Sequence, residues 1–391
     1  MFGAIYIGLS GLNAYSDGLR AVSNNVSNLN TTGFKAADIS FSDLFGLGSH
    51  GGLALSRERG GEGYGVGLNT LSIDFSQGEL RQTDRDLDLA VEGSGFLVLI
   101  DGDRTYYART GTFVVDQEGY VVLGETDMRL AVIDESGRPV AVNIDDKRTD
   151  PPVETTRIAF ADNLSSTATS HTIPDLEVFD ARGERHEWTI DFARAETEFD
   201  SWTVTVSDAA GEEIGTQTLR FAAGKVAPDS AELVFAQDGE DFAVTFDFSN
   251  ATSFSSGTVS SLRATDIDGH AVGSITTIAI NASGELEIAY SNQETLGLGA
   301  VALADFRDPQ ALEQRGNGLF AHDGYGQVQY LSAEDDRVGS ILSRRLEASN
   351  VDLGAQFGDL ILVQRGYQAS SQIISVSNDM IQQLFGIRGQ G

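Results

Sequence analysis

The sequence predicts a mainly β fold with an α-helix at each end. Three observations predict it. Apolar residues recur at helical spacing in residues 1–29 and 351–391. Between those ends they recur at alternate positions. An Asp/Asn-x-x-Gly signature falls five times between the alternating segments. The domains are expected to be nested: a helical coiled-coil layer from both termini, an inner β domain, and an inserted outer β-sandwich or barrel.

In the first stretch Ile5, Leu12, Leu19 and Val26 stand seven apart, and Tyr15, Val22 and Leu29 form a second row. In the last stretch Leu353, Leu360, Tyr367, Ile374 and Ile381 repeat the spacing, with Val363, Leu384, Phe357 and Phe385 widening the stripe. Neither stripe is stable in water as a lone helix. Two readings stay open: the helices pair within one molecule, or they pair and keep apolar surface for neighbouring copies.

The first helix should end in the Asn/Ser/Thr-rich run up to Gly33, because these side chains compete for backbone hydrogen bonds and Gly33 tolerates positive φ. Residues 30–70 read as a glycine-rich, mobile or extended connector. Residues 71–150 switch to period two, as in Leu87/Leu89/Val91 and Phe96/Val98/Ile100. Asp116–Gly119, Asp134–Gly137, Asp180–Gly183, Asp208–Gly211 and Asn281–Gly284 suit type I turns.

Pro151-Pro152 marks a boundary. Beyond it Trp188/Ile190/Phe192, Trp202/Val204/Val206 and Phe242/Val244/Phe246/Phe248 alternate cleanly, so 151–290 reads as the outer inserted β domain. Residues 291–350 should return to complete the inner domain with 71–150, since the terminal helices can pair only if the chain comes back. Asn350 and Asp352 stand where the last helix should begin, and either suits its cap.

The 391 residues carry 58 acidic and 26 basic side chains, a net charge of −32. That surface repels phosphate backbones and anionic lipid, so nucleic acid is an improbable partner. Cysteine is absent, which excludes disulfides and thiolate chemistry. No apolar run reaches the ~20 residues of a membrane span, and the N-terminus lacks the basic start of a secretory signal. If the protein is exported, the general secretory route does not do it. The five histidines show no metal-ligand spacing, and there is no nucleophile elbow or phosphate loop. Asp266–His270 suggests a calcium loop but lacks the twelfth-position glutamate. No catalytic residue, metal or cofactor is expected, so the chain is not read as an enzyme.

Four motifs carry a family resemblance. The first is Ser10-Gly11-Leu12 with Asn24, Asn25, Asn28, then Gly33, Phe34 and Lys35. The second runs from Phe75-Ser76-Gln77-Gly78 to Leu87 through Gly93 and Gly95. The third is Tyr107–Phe113, and the fourth is Leu346–Leu353 with Asn350 and Asp352, followed by Gln364, Arg365 and Tyr367. The chain resembles bacterial flagellar axial proteins, the rod and hook family, and within it the hook type, because 151–290 is larger than the insertion of a rod protein. The resemblance covers both ends and the inner domain; 151–290 carries only a weak echo at Val178–Gly183.

The resemblance implies a subunit of a curved, extracellular tube that joins the motor's rod to the filament as a torque-transmitting universal joint. It implies a homopolymer whose terminal helices line the channel. Its other implied partners are rod proteins, hook–filament junction proteins, a hook cap during assembly, and a type III export gate. Phe41 and Phe45 are similar to the aromatic motif that engages that gate, while their four-residue spacing equally suits ordinary packing. Gln364 and Arg365 face away from the seam and read either as solvated or as bonded to a neighbouring helix. Two alternatives remain: a distal rod or junction protein of the same family, or a secreted β-rich binding module.

Overall fold

In the computed structural model, two long helices lie at the ends of a chain whose described middle is mainly strand. The structure describes residues 2–45, 63–69, 72–195, 200–236, 242–322, 324, 327–333 and 335–388. Helix α1 is Phe2–Ser27 and helix α2 is Leu353–Arg388. The chain divides into two compact units. One comprises Met1–Asp145, Ile278–Glu287 and Gly297–Gly391; the other comprises Asp146–Thr277 and Ile288–Leu296.

The first unit is built on a twelve-stranded sheet whose central strands are buried on both faces. Along the strand Phe96–Asp101, Leu97 and Leu99 enter one apolar cluster while Phe96 and Val98 enter another. That alternation is the period of two seen in the sequence. Phe96 meets Phe75, Phe306 and Phe320 edge-on at 5.5–5.8 Å. Strands from late in the chain pair with early ones: Ser340–Ser343 with Asp88–Glu92, Leu319–His322 with Arg104–Ala108, Ala302–Phe306 with Phe96–Asp101.

The second unit holds a nine-stranded, mainly antiparallel sheet curled over its own core. Trp188, Ile190 and Phe192 are buried there with Trp202, Val204, Val206, Val244, Phe246 and Phe248. A parallel pairing joins Arg157–Asn163 to Ala243–Thr252. The fold class is therefore mainly β with terminal helices, as the periodicities require. The unit boundary falls at Asp145/Asp146, five residues before Pro151, and residues 278–287 belong to the first unit.

All five signature turns share one device. The side-chain oxygen of the first residue accepts the N–H groups two and four positions on: Asp116 from Glu118 and Tyr120, Asp134 from Ser136 and Arg138, Asp180 from Arg182 and Glu184, Asp208 from Ala210 and Glu212, Asn281 from Ser283 and Glu285. The fourth residue is glycine because φ there is positive, +83° at Gly119 and +77° at Gly137.

The connector expected over 30–70 is not simply extended. Ala37–Asp38 pairs with Ser72–Ile73, and Phe41–Phe45 pairs with Gly63–Leu68 as a hairpin laid on α1. Among its described glycines, Gly65 and Gly67 serve close approach rather than slack. Gly65, at φ +111°, sits where a Cβ would collide with Ser10 of α1. Residues 46–62, with most of the glycines behind that expectation, lie outside the described residues.

Acid should reveal the turns. Bonds from the Arg138 N–H and the Ser136 hydroxyl hold the Asp134 carboxyl down at about 2. A folded value below the unfolded one of roughly 3.9 means stabilisation that is complete above that value and lost as pH falls toward 2. Asn281 shows that an amide can do the same job. Asp134→Asn should therefore melt like the parent at pH 7 and lose less melting temperature between pH 4 and 2. An unchanged acid slope in circular-dichroism melts would refute the assignment.

Candidate functional site

All four sequence motifs converge on one buried joint beneath the helices. Lys35, Arg109 and Glu347 are each 0–1% exposed. Lys35 Nζ donates to Glu347 Oε1 at 2.7 Å and to the Ser76 carbonyl at 2.6 Å. The Gly78 N–H donates to the same Oε1 at 2.7 Å. Arg109 Nε lies 3.5 Å from Glu347 Oε2, an ion pair just beyond hydrogen-bond reach. The other Arg109 nitrogens donate to the Gly95 and Gly93 carbonyls at 2.5 Å. One carboxylate thus ties together residues from each motif.

The glycines follow from this geometry. A Cβ on Gly78 would strike the Ala348 carbonyl, and Gly93 lies at φ +136° against Gly339. Gly33, at φ +71°, donates its N–H to the Glu347 carbonyl at 2.8 Å. Asn350 accepts the Ala36 N–H at 2.8 Å and donates to the Asp74 carbonyl at 2.7 Å. It is therefore committed to the joint, and Asp352 is the cap of α2, accepting from Gly354 and Ala355 at 2.7 and 3.1 Å. Burial pushes the Lys35 ammonium below its usual range against the pull of Glu347, and does the same to Arg109.

Above the joint, α1 and α2 run antiparallel. Asn25 donates to Gln356 Oε1 at 3.0 Å and also holds the backbone of Ala37. A Cβ on Gly18 would touch Val363 at 3.4 Å, and one on Gly8 would meet Ile374 at 2.7 Å. A Cβ on Gly11 would collide with the Ser370 hydroxyl, and one on Gly366 with the Tyr15 ring. The residues buried between the helices are thus Gly8, Gly11, Ala14, Gly18, Ala21, Val22 and Asn25 against Gln356, Val363, Ser370 and Ser377. This is a heptad seam of small and polar residues, one that invites the axes to approach closely.

Of the rows named from the sequence, Val22 and Val363 lie in that seam, and the others flank it. Ile5, Leu12, Leu19 and Val26 are half-buried, as are Leu360, Ile374 and Ile381, while Leu353 and Tyr367 are exposed. Of the motif residues on the helices, Asn25 is buried, Asn28 caps back onto Asn24, and Asn24, Gln364 and Arg365 are exposed. Phe34 is buried with Ala36 and Val351. Phe41 packs on Tyr15 at 5.0 Å between ring centroids and closes over Gly18. The side chains of Phe45, Leu384 and Phe385 lie outside the described residues.

One further feature of α2 was not read from the sequence. Leu362, Ile373, Val376 and Met380 are 61, 43, 47 and 51% exposed. At 100° per residue they line up with Ala369 in a second stripe, about a quarter-turn round from the seam. The signal was present in the spacing 362, 369, 373, 376 and 380, but a helix with two stripes was read as one. Among the described residues no cluster of His, Asp or Glu is arranged to hold a metal.

Three family models match separate parts of the chain. "Flagella basal body rod protein" matches residues 5–35, "Flagellar basal body protein FlaE D2 domain" matches 143–298, and "Flagellar basal body rod FlgEFG protein C-terminal" matches 342–387. Curated relatives align along nearly the whole chain. The flagellar hook protein FlgE of Treponema pallidum is 26% identical over 465 residues, 99% of this chain and 100% of that one. Those of Borreliella burgdorferi and Escherichia coli K12 are each 28% identical, covering 99% and 97% of this chain and 100% and 98% of theirs. A solved structure, the Helicobacter pylori flagellar hook protein FlgE2, overlays at 12% identity with a TM-score of 0.49, over 70% of this chain and 100% of that one.

The joint makes a ranked prediction. Glu347→Ala leaves two buried cations without a counter-charge and should cost about 3–5 kcal/mol. Lys35→Met leaves Glu347 with Arg109 and the Gly78 N–H, and should cost less. Urea unfolding of both variants checks this; equal or reversed costs would show that Glu347 is not the bridging group.

Proposed function

We propose that the chain, whose ends and middle match flagellar rod and hook family models and whose curated relatives are flagellar hook proteins, is a self-assembling structural subunit of the flagellar hook. The observation that carries the reading is the second apolar stripe of α2, which no described residue of the same chain covers. Covering four half-exposed side chains would contribute on the order of 4 kcal/mol per neighbour. That is a large incentive for a helix whose other stripe is already engaged.

In this reading the polymer is a homopolymer and the chain performs no catalysis. The terminal helices form the helical layer around the channel. Rod proteins, hook–filament junction proteins and the hook cap are its neighbours in the axial structure. The chain reaches its extracellular place through the type III export gate with no cleaved signal, and Phe41 and Phe45 are the residues proposed to be read there. In the folded subunit Phe41 is packed on α1, so this recognition belongs to the unfolded chain. The hook then serves as a curved universal joint, with apolar helix contacts that hold and acidic β surfaces that slide.

Two measurements follow. Ile373→Asp or Met380→Asp should keep the monomer's melting temperature within about 2 °C, because both sites are exposed, and abolish polymerisation seen by electron microscopy. Polymerisation of the parent should strengthen as salt screens the charge of −32 over a Debye length of about 10 Å at 0.1 M. Polymers that form equally well from Ile373→Asp, or best at low salt, would end this reading.

A further inference from the structure

A groove of about 840 Å³ opens on the β body of the first unit. Its floor is apolar: Leu319 is buried, and Tyr106 and Met128 pack on the core beneath. Its rim carries Arg104, Arg315, His322 and Asp103. Two of the three charged rim residues, Arg104 and Arg315, are basic, in a chain with 58 acidic and 26 Lys or Arg side chains. Arg315 is steadied by Glu313 at 2.6 Å. Arg104 is exposed at the turn after Asp101–Asp103 and makes no ion pair among the described residues.

We propose that this groove receives a carboxylate-bearing segment of a second copy of this chain. The inference rests on the assembly reading above and deepens it by naming where one copy grips the next. Charge complementarity selects the occupant. Copies that each carry −32 repel unless a contact sets a base against an acid, and Arg104 is a base that the fold leaves unspent. Tyr106, Met128 and Leu319 supply an apolar surface on which such a segment can rest beneath its charge.

The absence of cysteine gives a clean test. Thr105→Cys, labelled with a benzophenone, is mixed with an equal amount of isotopically labelled parent and polymerised, then irradiated and digested. Crosslinks from position 105 to an acidic peptide of the isotopically labelled copy support the proposal. Crosslinks confined to the probe's own chain, or none, overturn it and point to another occupant. In parallel, Arg104→Glu/Arg315→Glu should melt like the parent yet raise the critical concentration for polymerisation about tenfold, and Arg104→Gln should fall between. A double variant that polymerises like the parent overturns the groove while leaving the hook reading intact. A parent that never polymerises removes both.

Discussion

One carboxylate organises the first unit. Glu347 is fully buried, and its side chain meets Lys35, Arg109 and the Gly78 N–H while its backbone meets Gly33 and the Thr110 hydroxyl. Lys35 and Glu347 are separated by 312 positions in sequence, so this cluster exists only when the two ends of the chain have come together. Desolvating three charges consumes most of what their attraction returns, so the net gain is modest. The consequence is specificity. Any other docking of the helices on the β body would strand a buried charge, and that error is expensive. The joint therefore fixes where the helix pair leaves the sheet, and every close contact above it inherits that placement.

What it inherits is a seam of unusual composition. Gly8, Gly11 and Gly18 face Ile374, Ser370 and Val363, and Gly366 lies under the Tyr15 ring. Small residues at the contact let the two helices approach closely, at the cost of the apolar area that larger side chains would bury. The large apolar residues are consequently displaced to the flanks and to the far stripe of α2. The helix pair is held together by fit and hydrogen bonds, while its greasier surface stays exposed, where the proposed polymer contacts would cover it. An ordinary two-helix hairpin spends its Leu and Ile on itself and has nothing left to offer.

Much of this was legible in the sequence because it is local. Asp116–Gly119 and its four counterparts are set by one side-chain acceptor and one positive φ within five residues, so the pattern of residues is the structure. The strand alternations of Trp188–Phe192 and Phe242–Phe248 are equally local. The seam was legible only at Val22 and Val363, since a search for apolar rows passes over Gly11, Ser370 and Ser377, whose value lies in what they lack. The hairpin Phe41–Phe45 with Gly63–Leu68 was read as slack because glycine density looks the same whether it serves freedom or close approach. Arg109 and Glu347 gave no sign of burial, because a charge becomes tolerable in a core only through partners hundreds of residues away.

The distribution of charge completes the physical picture. Within α1 and α2 the carboxylates Asp17, Asp359 and Asp379 balance the guanidiniums Arg20, Arg365 and Arg388, so the helices are net neutral. The whole charge of −32 therefore lies outside them. Copies packed through neutral, apolar helices meet no long-range penalty there, whereas their β parts repel wherever they face one another in water. Repulsion of this kind is soft. It decays over a Debye length, varies smoothly with separation and locks into no single geometry. Apolar contact is the opposite: short-ranged and lost within a few ångströms of separation. A polymer that concentrates its adhesion in a neutral helical layer and its repulsion in acidic β domains can keep the first intact while the second changes spacing. In the hook reading proposed above, a tube that bends needs that combination, and the segregation of charge along this chain is consistent with it.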